Sequence, residues 1–385
     1  MICHTEACGF SASVCPECGQ ISVHFGSCNN ACCPEGGAVR REKWIDVQRS
    51  RLINARYFHI IFTVPAVLND LFLADQSLMG SVLFKAHPRA LKRISADPKY
   101  FGAADCGFFT VEHTWGSNLY FHPHLHTLFV AAGMDKEGNL VYPKYLKKRG
   151  KKYGKGKRGK EKSDYLFPAK KLASLFRERF LKEAGKHLDK LGAFGQTALA
   201  KAKKQNWNVE ICSSSNNAKT VITYLSRYMN RSAISNGRII SYDGENVTFR
   251  YKPYKDDGAL KTCTLSDKEF LRRFVQHIPP EGLRRIRHCG FLGQRSRDKL
   301  ERMKKLTNTL EDFTPRITNQ ILEEKLGKDF WLCKKCQSKM VSYAHHEQQK
   351  MSSNERLKFI KYLERTIDLS PVERVEEFIK QHKID

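Results

Sequence analysis

Membrane-sized hydrophobic runs are absent from this 385-residue sequence. The longest apolar stretch, Ile60 to Leu68, has the size of a strand and is broken by Thr63 and Pro65, whereas a spanning helix needs roughly 20 apolar residues. No amphipathic anchor stands out either, which leaves a membrane surface as the weaker candidate partner. Residues 1–30 are polar and cysteine-rich and lack the apolar core of a secretory signal, so no signal peptide is expected. No glycine-rich loop closing on Lys-Ser or Lys-Thr is found, which argues against a fused nucleotide-driven motor. Internal repeats are absent too. Acidic residues are scarce: 40 Asp and Glu face 67 Lys and Arg, for a net charge of +27. Such an excess carries no information about fold, but it points to a polyanionic partner, nucleic acid first.

What remains is the composition of a globular protein. An apolar content of 41% can bury a real core, and the length suits about two or three domains of roughly 100–200 residues. Seven of the 13 cysteines fall within the first 33 residues: Cys3, Cys8, Cys15, Cys18, Cys28, Cys32 and Cys33. In a chain this large without a secretory signal, that density points to metal binding in a reducing compartment more than to disulfides. Cys15-Pro16-Glu17-Cys18-Gly19 has the spacing of a knuckle that turns two thiolates toward one ion. Cys28 with Cys32 or Cys33 can close the tetrahedron that Zn²⁺ prefers, and Cys3 is a further candidate. His4 and His24 are spare ligands, so a second ion is possible. So short a head has little core of its own, and metal binding would supply its folding free energy.

Periodicity divides the remainder. Residues 38–56 read as a basic amphipathic helix, Tyr57–Val64 as a strand ended by Pro65, and Ser81–Ile94 as a helix. Gly107–Trp115 and residues 124–131 read as two further strands, with a hairpin tip at Asp135–Asn139. On the third strand, His122-Pro123-His124-Leu125-His126 places His124 and His126 on one face, because side chains alternate along a strand. Two imidazoles so placed suit a divalent metal, although most such pairs are ordinary polar strand faces. From Lys144 to Lys162 there are eleven Lys or Arg, Lys151 and Lys152 among them, spaced by glycines and with Glu161 as the one acid. That segment is expected to be mobile until its cations grip phosphates, or to be a solvated loop. Residues 169–191 have a helical stripe, and Trp207–Ile211 a strand.

A helix is expected from Ala218 to about Arg231, and it carries Tyr224 and Tyr228. At i and i+4 the two rings are about 40° apart around the axis and about 6 Å apart along it, so both face one way. Lys219, Arg227 and Arg231 put cations beside them. An ordinary surface aromatic pair is the plainer explanation when the helix is taken alone. Beyond it, Arg238–Tyr242 and Val247–Tyr251 read as a hairpin across Asp243-Gly244, Thr262–Leu265 as a strand and Asp267–Gln276 as a helix. From Pro279 onward the chain is basic and expected to be largely helical, through Arg284-Arg285-Ile286-Arg287 and Arg295–Lys305. Cys333-Lys334-Lys335-Cys336 supplies half of another zinc site, which His345 and His346 could complete.

In this order, a cysteine-rich head, a His-hydrophobic-His strand and a Tyr-x3-Tyr helix resemble the two-tyrosine HUH rolling-circle transposases of the insertion sequence 91 family. The resemblance runs over roughly residues 3–340. It is carried by Tyr57-Phe58-His59-Ile60-Ile61-Phe62-Thr63-Val64-Pro65, by His113-Thr114-Trp115-Gly116 leading into His122–His126, by Tyr224–Arg231 continuing into Ala233-Ile234-Ser235-Asn236, and by Arg285–Leu292. Two departures stand out. Cys32 sits where the family's head has a His or no ligand, and Gly36 stands where its last Cys is expected. The family's helical stretch before the first Cys is missing, so the copy is expected to be N-terminally short.

The resemblance implies an α+β fold: an HUH-type core with a central, mainly antiparallel sheet flanked by helices, a small zinc-binding domain (residues 1–40) and a basic, helical C-terminal region (279–385). The core would span 41–278, with the basic insertion at about 144–163. It implies that Mg²⁺ or Mn²⁺ is held by His124 and His126, with a third ligand among Glu112, His113 and Asn230. It implies attack by Tyr224 and Tyr228 on single-stranded DNA at element ends and target, giving a 5′-phosphotyrosine. Lys219, Arg227, Arg231, Lys151 and Lys152 would hold that DNA, in the bacterial cytosol at the nucleoid. A rolling-circle replication initiator or relaxase shares the chemistry, and a non-catalytic zinc-bearing DNA-binding protein, a decayed transposase, is the alternative of another class.

Overall fold

The structure, a computed structural model, describes residues 3–28, 30, 33, 36–144, 146, 165–215, 232–253, 259–310 and 313–346, with Ser370, Glu373 and Glu377. The chain divides into two compact units, one of Gln48–Met229 with Gly237–Phe313, the other of Met1–Val47, Asn230–Asn236 and Thr314–Asp385. Within the second unit lie strands β1 (Phe10–Val14) and β2 (Ile21–Phe25) and helix α1 (Ala38–Arg49), which runs on into the first unit. The first unit continues with β3 (Tyr57–Thr63), α2 (Asn69–Ala74), α3 (Gln76–Ser95), β4 (Asp105–Trp115), β5 (Phe121–Met134) and β6 (Leu140–Val141). It then carries α4 (Ala169–Ala184), α5 (Leu188–Lys204), β7 (Asn208–Ser215), β8 (Ile239–Tyr242), β9 (Asn246–Tyr251), β10 (Lys261–Ser266), α6 (Asp267–Val275), β11 (Ile286–Cys289) and α7 (Arg297–Leu306). Helix α8 (Thr318–Leu326) and β12 (Val341–His346) return to the second unit.

The core of the first unit is an antiparallel sheet in the order β11-β4-β5-β3-β7, with β6 paired to β5. Its strands are rich in Phe, Ile and Val, the residues that pack well on a pleated surface. One face carries Phe58, Ile60, Phe62, Phe108, Leu125 and Phe129, all fully buried. Helices cover that face. In α3, which Asp75 caps by accepting the Leu78 N–H at 2.8 Å, Met79, Val82, Leu83, Ala86, Ala90 and Leu91 form a buried stripe at helical spacing. From α4, Phe176 and Phe180 meet Phe62 and Trp207, with ring centroids about 5 Å apart in edge-on or tilted geometry. The fold is therefore the expected α+β class, a central antiparallel sheet flanked by helices.

Several local expectations are revised. Helix α1 ends at Arg49, not at 56, and the loop after it is held by Tyr57, whose hydroxyl accepts from the Ile53 N–H at 2.8 Å and donates to the Ile53 carbonyl at 3.0 Å. The single helix expected over 169–191 is two, α4 and α5, separated by a turn at Gly185–His187, and α5 is itself kinked at Gly192 (φ 61°). The largest change concerns Arg284–Arg287. The segment was expected to be helical, but Ile286–Cys289 is an edge strand paired with Val111–Phe108 of β4. Two features that sequence periodicity does not display hold it there: the otherwise open edge of β4, and the turn at Gly290. That glycine has φ 62°, and a Cβ on it would run into the Cys106 carbonyl oxygen. The next residues, Phe291 and Leu292, are then buried. Among the described residues, the C-terminal region also supplies the strand β12. The expected helix over 352–382 lies outside the described residues, apart from Ser370, Glu373 and Glu377.

In the second unit β12, β1 and β2 form a three-stranded antiparallel sheet in that order. Arg316 ties α1 to the segment before α8: its guanidinium donates to Asp46, fully buried, at 2.7 and 2.9 Å, to Glu42 at 2.9 Å, and also to Glu324.

One buried group predicts a pH dependence. His87 of α3 lies under the sheet with no exposure, bonded to the Thr127 hydroxyl at 2.8 Å and edge-on to Phe62 and Phe108. Burial pushes it from 6.5 down to about 3. The folded form is depressed, so the unfolded chain binds the proton first, and stability falls as pH drops from about 6.5 toward 3. Relative to wild type, a His87→Met variant should gain up to about 1.4 kcal/mol per pH unit across that window, read from urea unfolding at two pH values. An unchanged difference would contradict the assignment.

Candidate active site

The other face of the sheet carries the histidines. Along β5, Leu125, Phe129 and Ala131 point into the core, so His122, His124 and His126 emerge opposite. In register, His113 of β4 lies directly across from His124, and His59 of β3 lies across from Leu128, two residues beyond the His126 pair. Antiparallel pairing thus gathers imidazoles from three strands on one surface. The ligand nitrogens of His113, His124 and His126 lie within 4.8 Å of one another, and His124 Nε2 is 3.0 Å from His126 Nε2. All three residues are buried, at 4%, 5% and 6% exposure. Of the three residues the sequence offered to accompany the histidine pair, the structure brings His113 to it.

The cluster is held in orientation. His124 Nδ1 donates to the His122 carbonyl at 2.7 Å, which leaves Nε2 as the lone-pair nitrogen. His59 Nε2 is 2.9 Å from His126 Nδ1, with the rings stacked at 5.1 Å. Trp115 lies flat against His113, centroids 4.5 Å apart and planes within 19°. Burial pushes His124 and His59 down to about 4, and His126 well down from its ordinary 6.5. All three are therefore neutral at neutral pH. Neutral imidazoles with one nitrogen fixed by a hydrogen bond are the form that ligates a metal, so the donor set fits a divalent ion.

Glu112 faces the other way. Its Oε2 points toward the α3 side, 3.6 Å from where a Cβ on Gly80 would sit. Burial pushes its carboxyl up to about 7, against the pull of Arg285 and Arg287. It is one residue out of phase with His113 and belongs to the helix-covered side. Tyr224, Tyr228, Lys219, Arg227, Arg231 and Asn230 lie outside the described residues, as do Lys151 and Lys152 and all of the basic insertion except Lys144 and Leu146.

The cysteines are grouped differently from expectation. Cys15 and Cys18 were expected to share an ion with Cys28 and Cys32 or Cys33. Instead Cys15 and Cys18 cluster with Cys333 and Cys336, while Cys3, Cys28 and Cys33 form a separate group. Cys32 lies outside the described residues. The same finding places the second knuckle beside Cys15 and Cys18, while the side chains of His345 and His346 lie outside the described residues. The cause is the pairing of β1 with β12, which no local spacing could reveal. His59 was also missed as part of the site. Its signal was available: it is the one polar residue in the apolar run Tyr57–Phe62.

A strongly basic, two-unit chain with a buried imidazole cluster and cysteine clusters has close counterparts among proteins that move DNA. A family model described as "Putative transposase" matches residues 107–299, and one described as "Transposase zinc-binding domain" matches residues 1–64. Among curated proteins, "Putative transposase y4qJ" of Sinorhizobium fredii is 32% identical over 361 residues, covering 89% of this chain and 86% of that protein. The "Transposase for insertion sequence element IS801" of Pseudomonas savastanoi pv. phaseolicola is 28% identical over 356 residues, covering 89% of this chain and 81% of that protein. No solved structure matches. The chain belongs to this transposase family, of the insertion sequence 91 and 801 type. Among the described residues, no helix is long and apolar enough to cross a membrane.

The hydrogen bond between His126 and His59 makes His59 a positioning residue: with His126 Nδ1–H donating to His59 Nε2, the Nε2 of His126 is left as its lone-pair nitrogen. Replacing His59 with Phe should weaken Mn²⁺ binding by about 10–100-fold, the usual cost of losing a partner that orients a ligand, while circular dichroism stays unchanged. Calorimetric titration of the purified protein reads the affinity, and an unaltered value would remove His59 from the site.

Proposed function

We propose that the protein is a two-tyrosine HUH transposase, which nicks and rejoins single-stranded DNA through a 5′-phosphotyrosine intermediate during rolling-circle transposition. The observation that carries this reading is the convergence of His113, His124 and His126, from two paired strands, into one buried cluster. His124 and His126, with His113 as third ligand, would hold the catalytic ion. A set of three nitrogens and no carboxylate suits Mn²⁺ better than Mg²⁺, which prefers oxygen donors. A divalent ion there would polarise the scissile phosphate and offset charge developing on it.

The remaining steps belong to the chain. The hydroxyl of Tyr224 or Tyr228, with an ordinary pKa near 10, loses its proton and attacks phosphorus in line. The tyrosine Oη–P bond forms as the P–O3′ bond breaks, and the leaving 3′-oxygen takes up a proton to become a free hydroxyl. The phosphodiester energy is kept in the covalent link, so rejoining by the reverse attack needs no nucleotide. Two tyrosines four positions apart would allow one strand to be held covalently while another is cut. Lys219, Arg227, Arg231 and the insertion cations Lys151 and Lys152 would bind the phosphates. The scarcity of acids across the chain supports the same class of partner.

The test is an adduct assay. Purified protein, labelled single-stranded DNA from an element end and Mn²⁺ should give a band that survives denaturing electrophoresis. In the Tyr224→Phe, Tyr228→Phe double variant that band should vanish. In His124→Ala the cleavage rate should fall at least about 100-fold, since metal polarisation contributes several kcal/mol. A wild type that binds this DNA but forms no adduct would replace the enzyme reading with that of a non-catalytic DNA-binding protein.

A further inference from the structure

Cys15–Cys18 and Cys333–Cys336 are two copies of one turn. In the first, the Cys15 carbonyl accepts from the Gly19 N–H at 2.9 Å and the Cys15 N–H donates to the Gln20 carbonyl at 2.9 Å. In the second, the Cys333 carbonyl accepts from the Gln337 N–H at 2.9 Å and the Cys333 N–H donates to the Ser338 carbonyl at 2.8 Å. The residue after each knuckle has left-handed backbone, Gly19 at φ 68° and Gln337 at φ 62°. Glycine adopts that conformation freely, whereas glutamine does so against steric resistance from its Cβ. A turn that keeps the conformation with glutamine is therefore held by something besides its own preference.

Strand pairing sets the two turns side by side. β1 and β12 run antiparallel from Phe10↔His346 to Val14↔Val341, so each strand ends beside a knuckle. Cys15 Sγ lies 3.4 Å from Cys336 Sγ, although the residues are 321 positions apart in the chain. Cys18 Sγ lies 3.6 Å from both Cys333 Sγ and Cys336 Sγ. All four sulfurs are within 4.8 Å of one another, and none is in a disulfide. A tetrahedral Zn²⁺ site with Zn–S near 2.3 Å has sulfurs about 3.8 Å apart, and the observed spacings fit. Four thiolates with no carboxylate or imidazole make a set that selects zinc over oxygen-seeking ions.

We propose that Zn²⁺ bound by Cys15, Cys18, Cys333 and Cys336 clamps the β1–β2 hairpin to β12. The cysteine-rich head is then a composite of both ends of the polypeptide and not an N-terminal module. It is completed only when residues beyond 332 are in place, and the metal locks the long chain closure that the three-stranded sheet requires. The clamp is separate from the cluster of Cys3, Cys28 and Cys33 and from the histidine face, and it is independent of how the tyrosines act.

Differential alkylation of the full-length zinc protein tests this. With increasing chelator under native conditions, Cys15, Cys18, Cys333 and Cys336 should become labelled together, at one chelator concentration, by mass spectrometry. Cobalt substitution should give the charge-transfer and d–d absorption of a four-sulfur tetrahedral site. The Cys333→Ser, Cys336→Ser variant should hold one zinc equivalent fewer, and its Phe10–Phe25 amides should exchange hydrogen at least about tenfold faster. Labelling of Cys333 and Cys336 while Cys15 and Cys18 stay protected in the wild type would overturn the clamp. So would an unchanged zinc content in the double variant. The wild-type labelling reads the same ligands without asking any variant to fold.

Discussion

The pairing register of β5 with β3 and β4 is the constraint on which the candidate site depends. Leu125 and Phe129 alternate with His124, His126 and Leu128 along one strand. A slip of one residue would drive the imidazoles under α3 and α4 and expose the phenylalanines. The apolar side forbids that slip, because Phe58, Phe62, Phe108 and Phe129 are buried there, Phe62 against Phe176 of α4 and Phe108 stacked on Phe129. The chemistry is thus positioned by hydrophobic packing on the face it does not use. Burial does a second thing: it takes His124 and His126 out of bulk water far enough to hold them neutral. A cluster of exposed histidines would gain protons as the pH falls toward 6.5 and repel a cation. His124 and His126 stay neutral below that.

The second unit solves a different problem. Its sheet is three short strands, near the smallest number that can stand independently, and it is reinforced by side-chain chemistry. Arg316 neutralises the fully buried Asp46 and reaches Glu42 and Glu324. A buried charge left alone would be costly, and the bidentate geometry of arginine offsets that cost. The cysteine clusters stand at the other end of the same economy of scale: small folds are closed by ions where packing area is short.

How much of this could be read beforehand follows from the range of the interactions. The strands around Phe62, Phe109 and Phe129 and the helix around Leu83 were legible because their periodicity is local. His124 and His126 were legible as a face, since alternation needs only two residues' spacing. His113 was one of three equal candidates until register placed it opposite His124. His59 passed unnoticed in its apolar run. The segment around Ile286 was misread as helical because its arginines say nothing of the open edge of β4. Grouping the cysteines failed most plainly, since Cys15 and Cys18 have partners at the far end of the chain.

By itself, then, the sequence determined the fold class, the presence of a cysteine-rich metal-binding head, the strand that bears the histidine pair and the preference for a polyanionic partner. Each of these is a property of composition or of residues a few positions apart, where backbone geometry alone dictates which side chains meet. Only the tertiary structure decided that His113 joins the pair, that Glu112 turns away from it, that His59 orients it, and that Cys333 and Cys336 meet Cys15 and Cys18. Those juxtapositions are set by strand register and by the pairing of distant strands. Both are chosen by the packing of the whole sheet and leave no trace in local spacing.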